Sequence, residues 1–126
     1  MSDTFRLQGT YSTTPLVGVP SGFPSLAAPI NEIAQLAGKQ PGQYTLDTDA
    51  AVDVAFGGLS AANVVIIKAV GGPIRVRLTT GSESDQVVRV DSFLVLLSYT
   101  VPYTAIDLTR SPGVETIVEV FLGQTE

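Results

Sequence analysis

From Ile74 to Thr79 the chain reads Ile-Arg-Val-Arg-Leu-Thr, and this two-residue alternation restricts the fold more than any other feature. Successive side chains of a strand point to opposite sides, so Ile74, Val76 and Leu78 share one face while Arg75, Arg77 and Thr79 share the other. The segment therefore predicts a strand with one dry side and one wet side, its two arginines turned away from the core. Val64-Val65-Ile66-Ile67 and Phe93-Leu94-Val95-Leu96-Leu97 are instead apolar at every position. They predict strands covered on both faces, with a second layer, an arm or another subunit over the outside.

Beyond residue 42 such short β-branched and aromatic segments recur between turn signals, the pattern of a sandwich or barrel. About eight strands are expected, near 44–47, 51–56, 63–70, 74–80, 86–90, 92–98, 104–108 and 115–122. Gly71-Gly72-Pro73 reads as the tight connection of a hairpin, Gly81-Ser82-Glu83-Ser84-Asp85 as a longer polar loop, and Ser111-Pro112-Gly113 as a turn before the last strand. No alternation of helices and strands is visible. The expected fold is all-β: an antiparallel β-sandwich of jelly-roll or immunoglobulin-like type spanning residues 43–126.

Residues 1–42 differ. Five of the eight prolines lie here, at Pro15, Pro20, Pro24, Pro29 and Pro41, together with Gly9, Gly18, Gly22, Gly38 and Gly42. Such a stretch accommodates neither a long helix nor a central strand. Yet Phe5, Leu7, Tyr11, Leu16, Val17, Val19, Phe23, Leu26 and Ile30 make it apolar, unlike a polar disordered tail. The expectation is an extended N-terminal arm that lies on another surface. Within it Ile30, Ile33 and Leu36 recur every third residue before Gly38, which leaves a short helix near 30–37 and irregular structure as equal readings.

At 126 residues the chain is long enough for one domain with one core. Charged residues make up 15%, against roughly 25% in ordinary soluble domains, so part of the apolar surface is expected against neighbours. A net charge of -5 with only seven lysines and arginines disfavours nucleic acid, whose backbone demands a clustered basic footprint. The first residues lack the basic start and apolar stretch of a secretory signal, which points to synthesis in a cytoplasm. No apolar run approaches the ~20 residues of a membrane-spanning helix.

Catalytic chemistry finds little footing. The chain has no cysteine and no histidine, so disulfides, thiolate metal sites and the commonest general base are all missing. Asp47, Asp49 and Asp53 supply oxygens within seven residues, but Ala50-Ala51-Val52 interrupts any calcium-loop pattern, and solvated turn carboxylates are the simpler reading. Whether that acidic loop holds a cation stays open at this point. Glu83 and Asp85 sit in a Gly-Ser loop with no tryptophan to stack on a sugar. Lys39 and Lys68 are in no Ser-x-x-Lys spacing, and Gly57-Gly58 and Gly71-Gly72 match no phosphate-binding loop. Tyr44, Phe56, Tyr99 and Tyr103 could form an aromatic platform for carbohydrate, although packing explains them more simply without tryptophan. The reading is a protein that is not an enzyme, with no cofactor and no metal.

Val54-Ala55-Phe56-Gly57-Gly58-Leu59, Ala62-Asn63-Val64-Val65-Ile66-Ile67-Lys68, Val101-Pro102-Tyr103-Thr104-Ala105-Ile106-Asp107-Leu108-Thr109-Arg110 and Val118-Glu119-Val120-Phe121-Leu122-Gly123 together resemble the small virion structural proteins of tailed bacteriophages. The resemblance covers residues 27–123. It implies a many-copy particle component: a capsid decoration (cement) protein that binds between capsid subunits, or alternatively a tail, fibre or baseplate part. A carbohydrate-binding module is the remaining alternative. Expected partners are the major capsid protein or tail proteins and further copies of the chain, in a virion. In this reading Phe5, Tyr11, Leu16, Phe23 and Leu26 are apolar interface anchors on the arm, and Arg75 and Arg77 an exposed interface strand.

Overall fold

A computed structural model describes residues 3–13 and 26–126, and the side chains of 4–8 and 34–126. Among the described residues there is no helix. The described residues form nine strands: β1 (Asp3–Thr13), β2 (Leu26–Leu46), β3 (Val52–Asp53), β4 (Val64–Val70), β5 (Ile74–Thr80), β6 (Gln86–Val90), β7 (Phe93–Leu97), β8 (Tyr103–Arg110) and β9 (Thr116–Thr125). They make two antiparallel sheets, one of five strands in the order β1-β2-β9-β4-β7 and one of four in the order β3-β8-β5-β6.

The alternation in β5 places Ile74, Val76 and Leu78 inside, where they meet Ile106 and Leu108 of β8 and Val90 of β6. Facing them from the other sheet are Val65, Ile67 and Ala69 of β4, Val118, Val120 and Leu122 of β9, and Leu46 of β2. The two sheets share this one core, a sandwich-like arrangement. Each fully buried aliphatic side chain contributes about 1.5–3 kcal/mol, so the inward faces dominate stability.

Gly71-Gly72-Pro73 does not close a hairpin as the sequence predicted. It carries the chain from β4 in one sheet to β5 in the other. Gly71 has φ +112°, and a Cβ there would stand 2.8 Å from the carbonyl oxygen of Glu115, so the crossing packs on the segment before β9 too tightly for any side chain. The hairpin within the four-stranded sheet is instead β5–β6, joined by the polar loop 81–85.

Strand β2 corrects the reading of the first 42 residues. Residues 30–37 are extended, not helical, and the boundary expected at 42/43 falls inside a continuous strand. Its outer half pairs with β1 from Thr13↔Leu26 to Asp3↔Leu36, and its inner half with β9 from Leu36↔Thr125 to Leu46↔Thr116. A helix of two turns is marginal on its own, whereas the ladder with β1 gives this backbone partners along its length. Only Leu36 appears in both registers. Among the described residues Pro29 and Pro41 therefore sit where β2 has a neighbour on one side alone, the edge setting in which a strand tolerates proline.

Candidate functional site

Between Leu36 and Gly38 the register with β9 shifts by one residue. Beyond this bulge Tyr44 and Leu46 point into the core, whereas before it Ala34 and Leu36 pack on the opposite, outer face of the five-stranded sheet. There Leu36 is 2% exposed and Phe5 9%, in a second apolar cluster with Val64, Leu7, Ile66, Leu97 and Phe121. The rings of Phe5 and Phe121 stack with centroids 6.3 Å apart and planes 20° from parallel. In a flat sheet this register would hold their backbones roughly 20 Å apart. The strand therefore bends at the bulge and lays the base of the β1–β2 ribbon across the outer face. Farther out, no other described strand pairs with the ribbon.

The rest of that face is bare. Phe93 is 70% exposed, Val70 54% and Ile117 40%. Val70 lies directly opposite Ile117, and Phe93 opposite Lys68, which in turn faces Glu119. A shallow groove of about 570 Å³ runs beside them, lined by Pro41, Gln43, Ile66, Lys68, Glu119 and Phe121.

The outer face of the four-stranded sheet is mainly polar, with Val87 its one exposed large apolar side chain. Arg75 stands between Arg89 and Thr109, and Arg77 between Val87 and Asp107. The Arg89 Nε donates to Asp91 Oδ1 at 3.0 Å in an exposed pair. At the end of this sheet Asp49 Oδ1 accepts from Arg110 Nε at 2.8 Å and from the Gly113 N–H at 3.0 Å. Ser111-Pro112-Gly113 forms the expected turn, closed by Val114 N–H on the Ser111 carbonyl, with Gly113 at φ +77°. The Gly113 N–H, and after it the Arg110 guanidinium, hold the Asp49 carboxyl below its ordinary range.

Of the residues singled out in the sequence, Arg75 and Arg77 lie exposed on the outer face, where the alternation put them. Phe5 is committed to Phe121 of its own chain, which removes it from the anchors available to a neighbour. Tyr11 lies in β1 and Leu26 begins β2, whereas Leu16 and Phe23 fall outside the described residues. The acidic loop is drawn into the protein's own contacts through Asp49, and among the described residues no group of three or more acidic side chains is arranged to hold a metal. The aromatics do not make a platform: Tyr44, Phe56 and Tyr103 pack against the core, and the Tyr44 hydroxyl accepts the Ala55 N–H at 2.8 Å.

Sequence reasoning passed over Asn63. Its side chain is buried; Nδ2 donates to the Ser98 carbonyl at 2.9 Å and Oδ1 accepts from the N–H and hydroxyl of Thr125, both at 2.9 Å. It joins the start of β4 to the ends of β7 and β9. A lone amide directly before a four-residue apolar run was the available signal. No family model, curated protein or solved structure matches the chain.

Proposed function

We propose that the chain is a non-catalytic structural subunit of a bacteriophage particle, a decoration protein that associates with its own copies and with the capsid shell. The observation that carries this reading is the pairing order. With β1 set aside, strands β2–β9, β3–β8, β4–β7 and β5–β6 are all antiparallel partners, the outermost of the eight together and the rest nested inwards. That nesting supports a β-sandwich of the jelly-roll class, an architecture used by viral capsid domains and lectins. The lectin option loses ground because three of the four candidate sugar-stacking aromatics are packed on the core.

Two further features support an assembly role. The β1–β2 ribbon is anchored at its base by Phe5 and, among the described residues, runs on without another strand beside it, which is the form of a clamp. The outer face beneath and beside it exposes Phe93, Val70 and Ile117, side chains that gain from burial against a neighbour. In this reading Arg75 and Arg77 orient the subunit on the shell more than they hold it, since exposed ion pairs contribute about 0–1 kcal/mol each.

The test is the copy number of the chain in purified particles together with its binding to shells assembled from the major capsid protein alone. Saturable binding and a copy number that scales with capsid subunits are expected. A few copies confined to the tail would transfer the chain to the tail or baseplate class, and absence from particles would end the virion reading.

A further inference from the structure

Among the described residues the stretch of β2 that β1 leaves open and the far side of β7 are two free edges of the five-stranded sheet, and they are built differently. Along 37–46 the open side of β2 carries the bulge after Leu36, then Lys39, Pro41 and Gly42, the devices that stop an edge from recruiting another strand. At the opposite edge β7 is Phe93-Leu94-Val95-Leu96-Leu97, with no charge, proline, glycine or bulge. Among the described residues no strand pairs with its far side.

The direction of its free backbone groups follows from the hydrogen bonds at its two ends. Ala69 N–H donates to the Ser92 carbonyl and Ser98 N–H to the Asn63 carbonyl, both at 2.8 Å. Bonded pairs in an antiparallel ladder alternate, so Leu94 and Leu96 bond to β4 while Phe93, Val95 and Leu97 turn their N–H and C=O groups outwards. Those three residues also share the outer face with Ile66 and Val64.

We propose that β7 pairs antiparallel with β7 of a second copy about a two-fold axis through Val95, joining two five-stranded sheets into one. This deepens the self-association in the proposed function and rests on it. Of the registers that set outward groups against outward groups, the one centred on Val95 uses all three outward residues of the strand, whereas centring on Leu94 or Leu96 uses only two of them. Centring on Val95 sets Val95 against Val95 and Phe93 against Leu97 of the other copy, so every outward N–H and C=O meets its complement. The same centring keeps outer-face side chains beside outer-face side chains. Sliding one strand by a single residue against the other would oppose inward-bonded groups to outward ones. Phe93 then lies beside Leu97 of the second copy, the side chain on which that copy's ribbon base rests.

The experiment uses the full chain. Light scattering should give twice 13.2 kDa for the unmodified protein. Val95→Pro removes only an outward N–H, which an edge strand tolerates, and should halve that mass with the circular dichroism unchanged. Because the chain has no cysteine, V95C introduces a unique thiol. Across the proposed axis the two Cα atoms stand about 5.5 Å apart, within disulfide reach, so mild oxidation should give a covalent dimer. F93C is the control: its two copies would be more than ~10 Å apart and should cross-link at least tenfold more slowly. An unmodified chain that stays monomeric at all concentrations overturns both the self-association and the edge pairing. A chain that self-associates while V95P keeps the full mass, or while V95C links no faster than F93C, leaves the self-association standing and overturns the edge. If V95P does not fold, the comparison of the two cysteine variants decides alone.

Discussion

On the outside of the four-stranded sheet Arg75, Arg77 and Arg89 are exposed beside half-buried Asp107 and Thr109, with Val87 the one large apolar side chain exposed among them, whereas the outside of the five-stranded sheet presents Ile66, Val70, Phe93, Ile117 and Phe121 around a single Lys68–Glu119 pair. Both sheets bury their inner faces in one core, so the contrast does not arise from folding alone. An antiparallel sheet needs cover on one side only, and the arginine face meets that rule. The apolar face exceeds it. The chain covers part of that surplus with the base of its own ribbon and leaves Phe93, Val70 and Ile117 exposed, the surface on which assembly is proposed.

The comparison is most exposed at Leu36. If the ribbon base makes the outer face a second core, Leu36→Ala should cost about 2–5 kcal/mol, read as a lower urea midpoint with an unchanged slope. A loss under about 1 kcal/mol would mean that the ribbon merely rests there. Asn63→Ala should cost about 2 kcal/mol, because it removes three hydrogen bonds that join β4, β7 and β9 and leaves buried partners unpaired. Its amide exchange should rise first at the Thr125 end of β9.

Asp49→Asn should have a smaller effect that depends on pH. The folded protein holds this carboxyl below its ordinary value of 3.8. Its contribution is therefore complete above pH 3.8 and disappears as the pH falls through the lower folded value. The variant and the parent should differ near neutrality and converge in acid; a constant offset at every pH would place the loss elsewhere. Arg75→Ser with Arg77→Ser should change stability by no more than about 0.5 kcal/mol, as expected of a hydrated face. A larger loss would show that the polar face is also structural.

The inner half of this architecture was legible because each segment obeys a local rule. The alternation in 74–80, the apolar run in 64–67 and the Pro-Gly turn at 112–113 all lie where expected. Strand β2 was not legible, since Pro29, Gly38, Pro41 and Gly42 argue against a central strand, and β2 is central only at Leu36. A strand that changes partner halfway leaves no periodic signature, because the bulge reverses which alternate residues face inwards. The run 93–97 illustrates the opposite limit. Continuous apolarity promised cover on both faces but could not say that the strand stands at an edge with Phe93 exposed.

The bend after Leu36 also has a mechanical side. With Phe5 and Phe121 as its bearing, the ribbon of 11 residue pairs extends about 27 Å beyond Phe5 to Thr13, so rotating the base by about 10° sweeps its far end by about 5 Å. A side chain of one benzyl group thus sets the reach and aim of the whole ribbon. Trimming Phe5 would leave its length unchanged and scatter its bearing, turning a directed strut into a swinging one.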